Sequence, residues 1–195
     1  MLTRRKAVNP SVTEKLILQM LCDIHKKLDI KDSYDADLIS RAIASGDNWV
    51  LGWKYDIKEQ DAELPPHVRL VGDALDLYSF LKESYEGLDA AGRQAVENGR
   101  ANAAQWIEFP GFDGNNEPDH RAAARYIVED LDGYQSMRDV ASRNSHMPVV
   151  EMYTRMIEVF EPIRRNLIGR LMTPEEIILV LQAGVHPDNH QPVAH

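Results

Sequence analysis

Apolar residues recur along most of the chain at the three- and four-residue spacing of amphipathic helices. In the first segment, Ser11 lies three residues before Glu14, which is the spacing of a capping box. The apolar positions that follow are Ile17, Met20, Leu21, Ile24 and Leu28. A second short helix is predicted between Asp35, a suitable N-cap, and Gly46, a suitable C-terminal glycine. Trp49 and Trp53 come next and share a face if this segment is also helical.

The remaining stripes predict further helices separated by short connectors. The predicted helices are a long one after Pro65-Pro66, a weaker one over Asp89–Asn98, one that begins at Glu117-Pro118, one over Val149–Leu167, and one that begins at Thr173-Pro174. The segment from Ala101 to Glu108 is compatible with a helix or with an extended piece. Pro162 falls inside the Val149–Leu167 stripe, so we expect a kink or a break there. The fold class is therefore predicted to be all-α.

One stretch differs from this helical background. From Trp106 to Arg125 the chain combines aromatic residues, a Pro-Gly turn, four acidic residues, a histidine and two arginines. We therefore predict a multi-helix, bundle-like single domain over residues 1–184 with one Pro/Gly-rich aromatic loop. Residues 185–195 are polar, contain two prolines, and are predicted to form a flexible tail.

Charge and composition narrow the function classes. The chain of 195 residues has 31 acidic and 22 basic residues, a net charge of −9, which argues against a nucleic-acid partner. Its single cysteine, Cys22, cannot form an intramolecular disulfide and fits a reducing compartment. No apolar run is long enough to span a membrane, and no secretory signal opens the chain. We expect a cytoplasmic protein.

The aromatic loop is the candidate site, because apolar walls and a few converging polar groups are what a ligand pocket requires. The predicted ligand-binding residues are Trp106, Phe109, Phe112, Asp113, Glu117, His120, Arg121 and Arg125. Phe112 is expected to be buried, and Asp113 to bond the backbone or an arginine.

The polar residues of this loop allow more than one interpretation. Arg121 and Arg125 are four residues apart and could together bind an anion, or could pair with Glu117 and Glu129 on one helix face. Asp113 opens an acidic segment that suggests calcium. The sixth and twelfth positions of an EF-hand loop would fall on Pro118 and Ala124, so no metal site is predicted.

Known catalytic and cofactor signatures are absent from the sequence. There is no His-Glu-x-x-His, Gly-x-Ser-x-Gly, P-loop or dinucleotide fingerprint, and we predict no cofactor. These absences favour a binding module over an enzyme. A hydrolase that uses Asp113 or Glu117 as a general base with His120 remains an alternative, as does a purely structural oligomer.

Two segments predict self-association. The run from Ile177 to Leu181 is apolar on all sides, and the face with Trp49 and Trp53 has no assigned partner. Exposure of either segment would leave an apolar patch that monomers seldom show. We therefore predict a homodimer with at least one of these segments in its interface. Packing of the Val149–Leu167 helix over the Ile177–Leu181 run is the competing explanation.

Several motifs together resemble the bacterial YfbU-like domain over nearly the whole chain, from about Val12 to Ala183. They are Asp76-Leu-Tyr78 within Val68–Leu88, Phe109-Pro-Gly-Phe-Asp113, Arg125-Tyr126 with Gly133-Tyr134, Tyr153-Thr-Arg-Met156, and Thr173-Pro-Glu-Glu-Ile177. The resemblance implies an all-helical domain that self-associates. Some family members join this domain to a helix-turn-helix, which suggests a ligand-binding, regulatory role; this chain has no spare length for such a domain. No catalytic residues carry over from the family.

Overall fold

The computed structural model describes residues 10–57, 63–186 and Asp188. Within these residues the chain is helical, and the only extended pairing is a single bridge between Phe112 and Asn144. The helices are α1 (Val12–Lys27), α2 (Ala36–Ser45), α3 (Trp49–Lys54), α4 (Pro66–Gly87), α5 (Ala90–Gly99), α6 (Ala103–Ile107), α7 (Pro118–Arg125), α8 (Val150–Arg164) and α9 (Pro174–Ala183). The all-α prediction is confirmed.

The chain divides into two compact units, Met1–Pro65 and Pro66–His195. In the first unit, α1 packs against α2, and α2 packs against α3. Asp35 caps α2 by accepting hydrogen bonds from the amides of Asp37 and Leu38, and Gly46 ends that helix in the left-handed conformation. Leu38, Ala42, Ile43 and Val50 form the buried core of this unit.

In the second unit, α4 is the central helix and packs against α6, α7, α8 and α9. Its buried stripe follows the helical repeat that the sequence shows, and comprises Val68, Val71, Ala74, Leu75, Leu77, Tyr78 and Leu81. A single turn of π-helix over Tyr126–Asp130 extends α7, and a short 3-10 turn follows at Gln135–Met137.

The capping signals in the sequence correctly predict where α1 and α9 begin. Ser11 with Glu14, and Thr173 with Glu176, both form the reciprocal hydrogen bonds of a capping box. The ambiguous segment before the aromatic loop forms α6. Of the kink or break expected at Pro162, the break does not occur, because α8 continues through Pro162 and ends at Arg164.

The apolar run in α9 is covered mostly within its own unit. Ile177, Val180 and Leu181 are buried, and α9 packs against α8, α5, α4 and α6. Only Leu179 of the Ile177–Leu181 run is largely exposed, at 54%. Packing by α8 and its neighbours therefore covers most of this run within one chain, as the competing explanation expects, and Leu179 is left exposed.

The Trp49/Trp53 face is only partly covered. Trp49 is half-buried, whereas Trp53 is exposed, and their rings meet edge to face at 6.2 Å.

None of the helices in residues 10–57 and 63–186 is long and apolar enough to cross a membrane. Most of the predicted tail, 185–195, lies outside the described residues, as does the basic Arg4-Arg5-Lys6 segment.

The aromatic loop is held close to the segment that precedes α8. Gly111 has a φ of +85°, and a Cβ at this position would lie 2.1 Å from the carbonyl oxygen of Arg143. The Gly111 carbonyl accepts a 2.6 Å hydrogen bond from the hydroxyl of Tyr153. The Gly114 amide donates to Oδ1 of Asn144 at 3.1 Å. Only glycine satisfies both the backbone angle and the close approach of Arg143.

We predict that Gly111→Ala destabilises the protein far more than Gly169→Ala. Gly169 also has a positive φ, +73°, but nothing lies within 4 Å of its Cβ position, so it isolates the cost of the backbone angle. That cost is about 1–2 kcal/mol. At Gly111 the clash with backbone adds to it, and we expect a total loss of about 3 kcal/mol or more. Urea unfolding of both variants measures the difference; equal losses would show that the loop does not approach Arg143 as described.

Candidate functional site

The carboxylate of Glu117 joins the aromatic loop to the start of α8. Its Oε2 accepts a hydrogen bond from the Asp113 amide at 3.0 Å, and its Oε1 accepts from the amides of Val149 and Val150 at 2.7 and 2.8 Å. Glu117 is 6% exposed, and Val149 has no side-chain cap of its own. A buried carboxylate needs such donors, and the positive end of the α8 dipole favours its charge. Glu117 therefore caps α8 from a distance of more than thirty residues in sequence.

Asp113 has a similar structural role within the loop. It is 2% exposed, and its Oδ1 accepts a hydrogen bond from the Asn115 amide at 3.0 Å, while its Oδ2 accepts from the side chain of Asn116. These bonds, chiefly the one from the Asn115 amide, lower the pKa of the carboxyl. The prediction that Asp113 bonds to backbone is confirmed.

Phe109 and Phe112 of the aromatic loop belong to the core. Phe109 and Phe112 are 2% and 0% exposed, and both pack against Tyr153 with ring centroids 5.8 and 5.2 Å away. Tyr78 of α4 packs against Phe109 at 5.3 Å. Such edge-to-face and stacked pairs add to the energy of burial. Phe112 is buried as predicted, and these rings connect the loop to α4 and α8.

His120 extends this cluster toward the surface. Its ring stacks on Phe112 at 5.5 Å and meets His67 edge to face at 5.8 Å. Burial, and secondarily the proximity of His67, lower the pKa of His120. The Nε2 atom of His67 is buried and has no hydrogen-bond partner among the described residues. The surroundings of His120 therefore favour its neutral imidazole.

A surface pocket of about 230 Å³ lies beside α7. Its lining consists of Gly114, Pro118, Arg121, Ala122, Arg125 and Ser142. Arg121 donates hydrogen bonds from Nε and Nη2 to the Ser142 carbonyl, at 3.1 and 2.9 Å. Those two bonds fix the plane of the guanidinium and leave further N–H donors available.

The charges of the two pocket arginines are not neutralised by ion pairs. Among the described residues, no carboxylate lies within 4.0 Å of the guanidinium of Arg121 or Arg125. The carboxylate of Glu117 is bonded to backbone amides instead, and the guanidinium of Arg125 lies 5.5 Å from the ring centre of Tyr126. The alternative in which Arg121 pairs with Glu117 and Arg125 with Glu129 is therefore not what the structure adopts.

The eight predicted site residues thus occupy three places. Phe109, Phe112, Asp113, Glu117 and His120 form the buried and half-buried support, and Arg121 and Arg125 line the pocket. Trp106 lies apart on α6, 38% exposed, with the guanidinium of Arg100 at 4.3 Å from its ring. Across residues 10–57, 63–186 and 188, no three metal-ligating side chains come together.

The sequence did not indicate the roles of Ser142, which lines the pocket, or of Asn144, which binds the loop backbone. Ser142 contributes through its backbone carbonyl, so its side chain carries no signal. Asn144 accepts hydrogen bonds from the amides of Gly114 and His146, and a polar residue in a polar loop did not indicate that role. The turn dipeptides Pro110-Gly111 and Gly114-Asn115 were the local signs that backbone would approach here.

We predict that Glu117→Gln destabilises the protein by roughly 2–4 kcal/mol. The substitution removes the charge and turns one acceptor oxygen into an amide that faces backbone N–H groups, and hydrogen bonds to a charged group are worth about 1.5–3 kcal/mol. Glu151→Gln is the matched control, because Glu151 is exposed in the first turn of the same helix. Chemical denaturation gives both values; a loss for Glu117→Gln no larger than the control would contradict the capping role.

We predict that His120 makes the protein less stable in mild acid. Its pKa is below the usual value of 6.5, so the unfolded chain binds this proton more readily than the folded one. The stability contribution is complete above pH about 6.5 and is lost as the pH falls through the lower folded-state pKa. Unfolding free energy measured between pH 7.5 and pH 5 should fall less in His120→Gln than in wild type.

His186→Gln is the control for this pH dependence, because the His186 side chain is 54% exposed beside Asp188. It should retain the wild-type dependence. An unchanged dependence in His120→Gln would contradict the assignment.

The chain matches a known protein family over nearly its whole length. The family model described as YfbU domain matches residues 9–183. A relative is the UPF0304 protein MJECS11 of Methanocaldococcus jannaschii, 27% identical over 180 residues that cover 89% of this chain and 99% of that protein. No solved structure matches this chain. Since the family model spans the aromatic loop, the pocket and every described helix, the chain belongs to the YfbU family.

Proposed function

We propose that this protein is a binding module for a small anionic ligand, a carboxylate or a phosphate, at the pocket beside α7. The observation that carries the proposal is that Arg121 and Arg125 line one pocket of about 230 Å³ without an ion-pair partner among the described residues. Guanidinium groups recognise carboxylates and phosphates through charge-assisted, often bidentate hydrogen bonds. A chain of net charge −9 has no general attraction for anions, so two unneutralised cations in one concavity indicate a local function.

Three features support binding without large rearrangement. The Ser142 carbonyl holds the Arg121 guanidinium in place, and that neutral partner leaves its charge uncompensated. Gly114 lines the pocket without a side chain that would fill it. The first turn of α7 begins at Pro118 in the pocket wall, and the N-terminus of a helix favours negative charge. A preorganised site loses less entropy when its ligand binds.

The surroundings of the carboxylates disfavour the hydrolase alternative. A general base must have a free oxygen within reach of its substrate. Both oxygens of Asp113 and both oxygens of Glu117 accept hydrogen bonds from the protein itself, and neither residue lines the pocket. The lowered pKa of Asp113 further weakens it as a base. His120 is likewise absent from the pocket lining, since it stacks on Phe112.

We predict that inorganic phosphate or succinate raises the melting temperature of the wild-type protein relative to chloride at equal ionic strength. A ligand present at 100 times its Kd stabilises the folded state by about 2.7 kcal/mol. For a chain of this size that corresponds to a rise of roughly 5–10 °C. The two anions separate phosphate recognition from carboxylate recognition. The measurement is thermal unfolding followed by fluorescence, with ligand titrated at constant pH.

Arg121→Gln and Arg125→Gln should each abolish most of this rise. Arg69→Gln is the charge-matched control, because Arg69 is exposed on α4 and does not line the pocket. It should retain the full response. The proposal fails if neither anion stabilises the protein beyond chloride, or if both pocket variants respond like wild type. A purely structural oligomer would give the first of these results.

A further inference from the structure

Helix α1 presents its polar side to α2. Gln19 and Ser40 exchange two hydrogen bonds, of 2.9 Å from Gln19 Nε2 to the Ser40 carbonyl and 2.6 Å from Ser40 Oγ to Gln19 Oε1. Lys26 pairs with Asp37 of α2 at 2.5 Å. Cys22 is the one buried residue of α1. The contact within this unit therefore uses the less hydrophobic half of the helix.

The opposite half of α1 carries a continuous apolar stripe. Its members recur at the four-residue spacing of a helix face, and each is more than half exposed: Val12, Leu16, Ile17, Met20, Leu21, Ile24 and Leu28. At 1.5 Å per residue the α1 stripe is about 24 Å long. Most of the exposed large hydrophobic side chains among the described residues lie, like these, ahead of Pro66. An amphipathic helix normally buries its apolar stripe in a core and exposes its polar side. In α1 the polar side packs against α2 and the apolar stripe is exposed.

We propose that a second copy of this chain covers the α1 stripe, so that α1 packs against α1 across a two-fold axis. This proposal is independent of the anion pocket. It also differs from the interface predicted from the sequence, which uses at least one of the Ile177–Leu181 run and the Trp49/Trp53 face. Most of the Ile177–Leu181 run is buried within one chain.

The size of the stripe fits a dimer interface. Complete burial of one aliphatic side chain removes on the order of 100 Å² of apolar surface from water. Seven side chains that are each more than half exposed therefore supply roughly half of the 800 Å² or so that a stable interface buries on each partner. Flanking side chains of the same helix supply the remainder. Monomers seldom leave an apolar patch of this extent uncovered.

The geometry and the charge of the chain favour a second copy over other occupants. Val12, Leu16, Met20, Ile24 and Leu28 form one ridge at four-residue spacing, and ridges of this kind interdigitate when two identical helices cross. A two-fold contact uses the same surface on both subunits, so a stripe of uniform character is self-complementary. An anionic lipid surface is disfavoured, because the chain has a net charge of −9.

The first test is the mass of the full chain in solution, measured by light scattering between about 1 and 100 μM, the range over which a micromolar dimer dissociates. We expect twice the mass of one chain, 22.2 kDa. The double variant Met20→Glu/Ile24→Glu should have the mass of a single chain and an unchanged far-UV circular dichroism spectrum. Leu179→Glu places the same charge at an exposed apolar position of α9 and should remain dimeric.

A second experiment keeps the test decisive if the double variant does not fold. Single cysteines replace Leu16, Met20 or Ile24 in a Cys22→Ser background, and mild oxidation should give a covalent dimer for at least one of them, since some part of the stripe lies near the two-fold axis. Ile168→Cys, which replaces an exposed residue of the other unit in the same Cys22→Ser background, should give no covalent dimer.

A wild-type mass of 22.2 kDa at all concentrations would overturn the proposal, and a loss of thermal stability in Met20→Glu/Ile24→Glu would then show that the stripe is covered within one chain. A folded double variant that stays dimeric, or the absence of covalent dimer at all three positions, would overturn it equally.

Discussion

The buried carboxylate of Glu117 is the interaction on which the second unit's surface depends. It accepts hydrogen bonds from three backbone N–H groups in two separate segments. One is the amide of Asp113 in the aromatic loop, and the others are the amides of Val149 and Val150 at the start of α8. An ionised group in this position is costly unless its hydrogen bonds are complete. Both of its oxygens accept hydrogen bonds, so the buried carboxylate is stabilised. The same hydrogen bonds hold α7, the loop and the start of α8 together.

The position of the pocket follows from this junction. With the loop held beside the segment before α8, the Ser142 carbonyl lies within hydrogen-bond distance of the Arg121 side chain. Phe112 holds the loop against the core through ring contacts with Tyr153 and His120. Residues that the loop brings together therefore have separate functions: buried aromatic and acidic side chains provide support, and the arginines face the pocket. A rigid support of this kind is what positions a binding group.

The parts of the structure that were predictable from the sequence are those that depend on neighbours in the chain. The capping boxes at Ser11 and Thr173 require only residues three positions apart, and the apolar stripe of α4 reports its own buried face. The burial of Phe112 and the backbone hydrogen bond of Asp113 could also be predicted from neighbouring residues in the chain.

The partner of Glu117 was not predictable in this way. Local spacing favoured Arg121, four residues away, but the side chain binds amides more than thirty residues further on. Of the kink or break expected at Pro162, the break does not occur, for a related reason. A proline inside a helix loses one hydrogen bond and clashes with the preceding turn, a cost of about 3 kcal/mol in isolation. In α8, Tyr153, Met156 and Phe160 are buried against the rest of the unit, and that packing offsets the cost so that the helix continues to Arg164.

Helix α1 shows the same distinction between local and distant information. Its capping box and its regular stripe define a helix, and the structure contains one from Val12 to Lys27. Neither signal states which face turns inward. The face toward α2 carries specific polar pairs, Gln19 with Ser40 and Lys26 with Asp37, each of which needs its counterpart at one position. Hydrophobic burial has no such directional requirement, so the apolar side of α1 is the one that remains available to a surface beyond this unit.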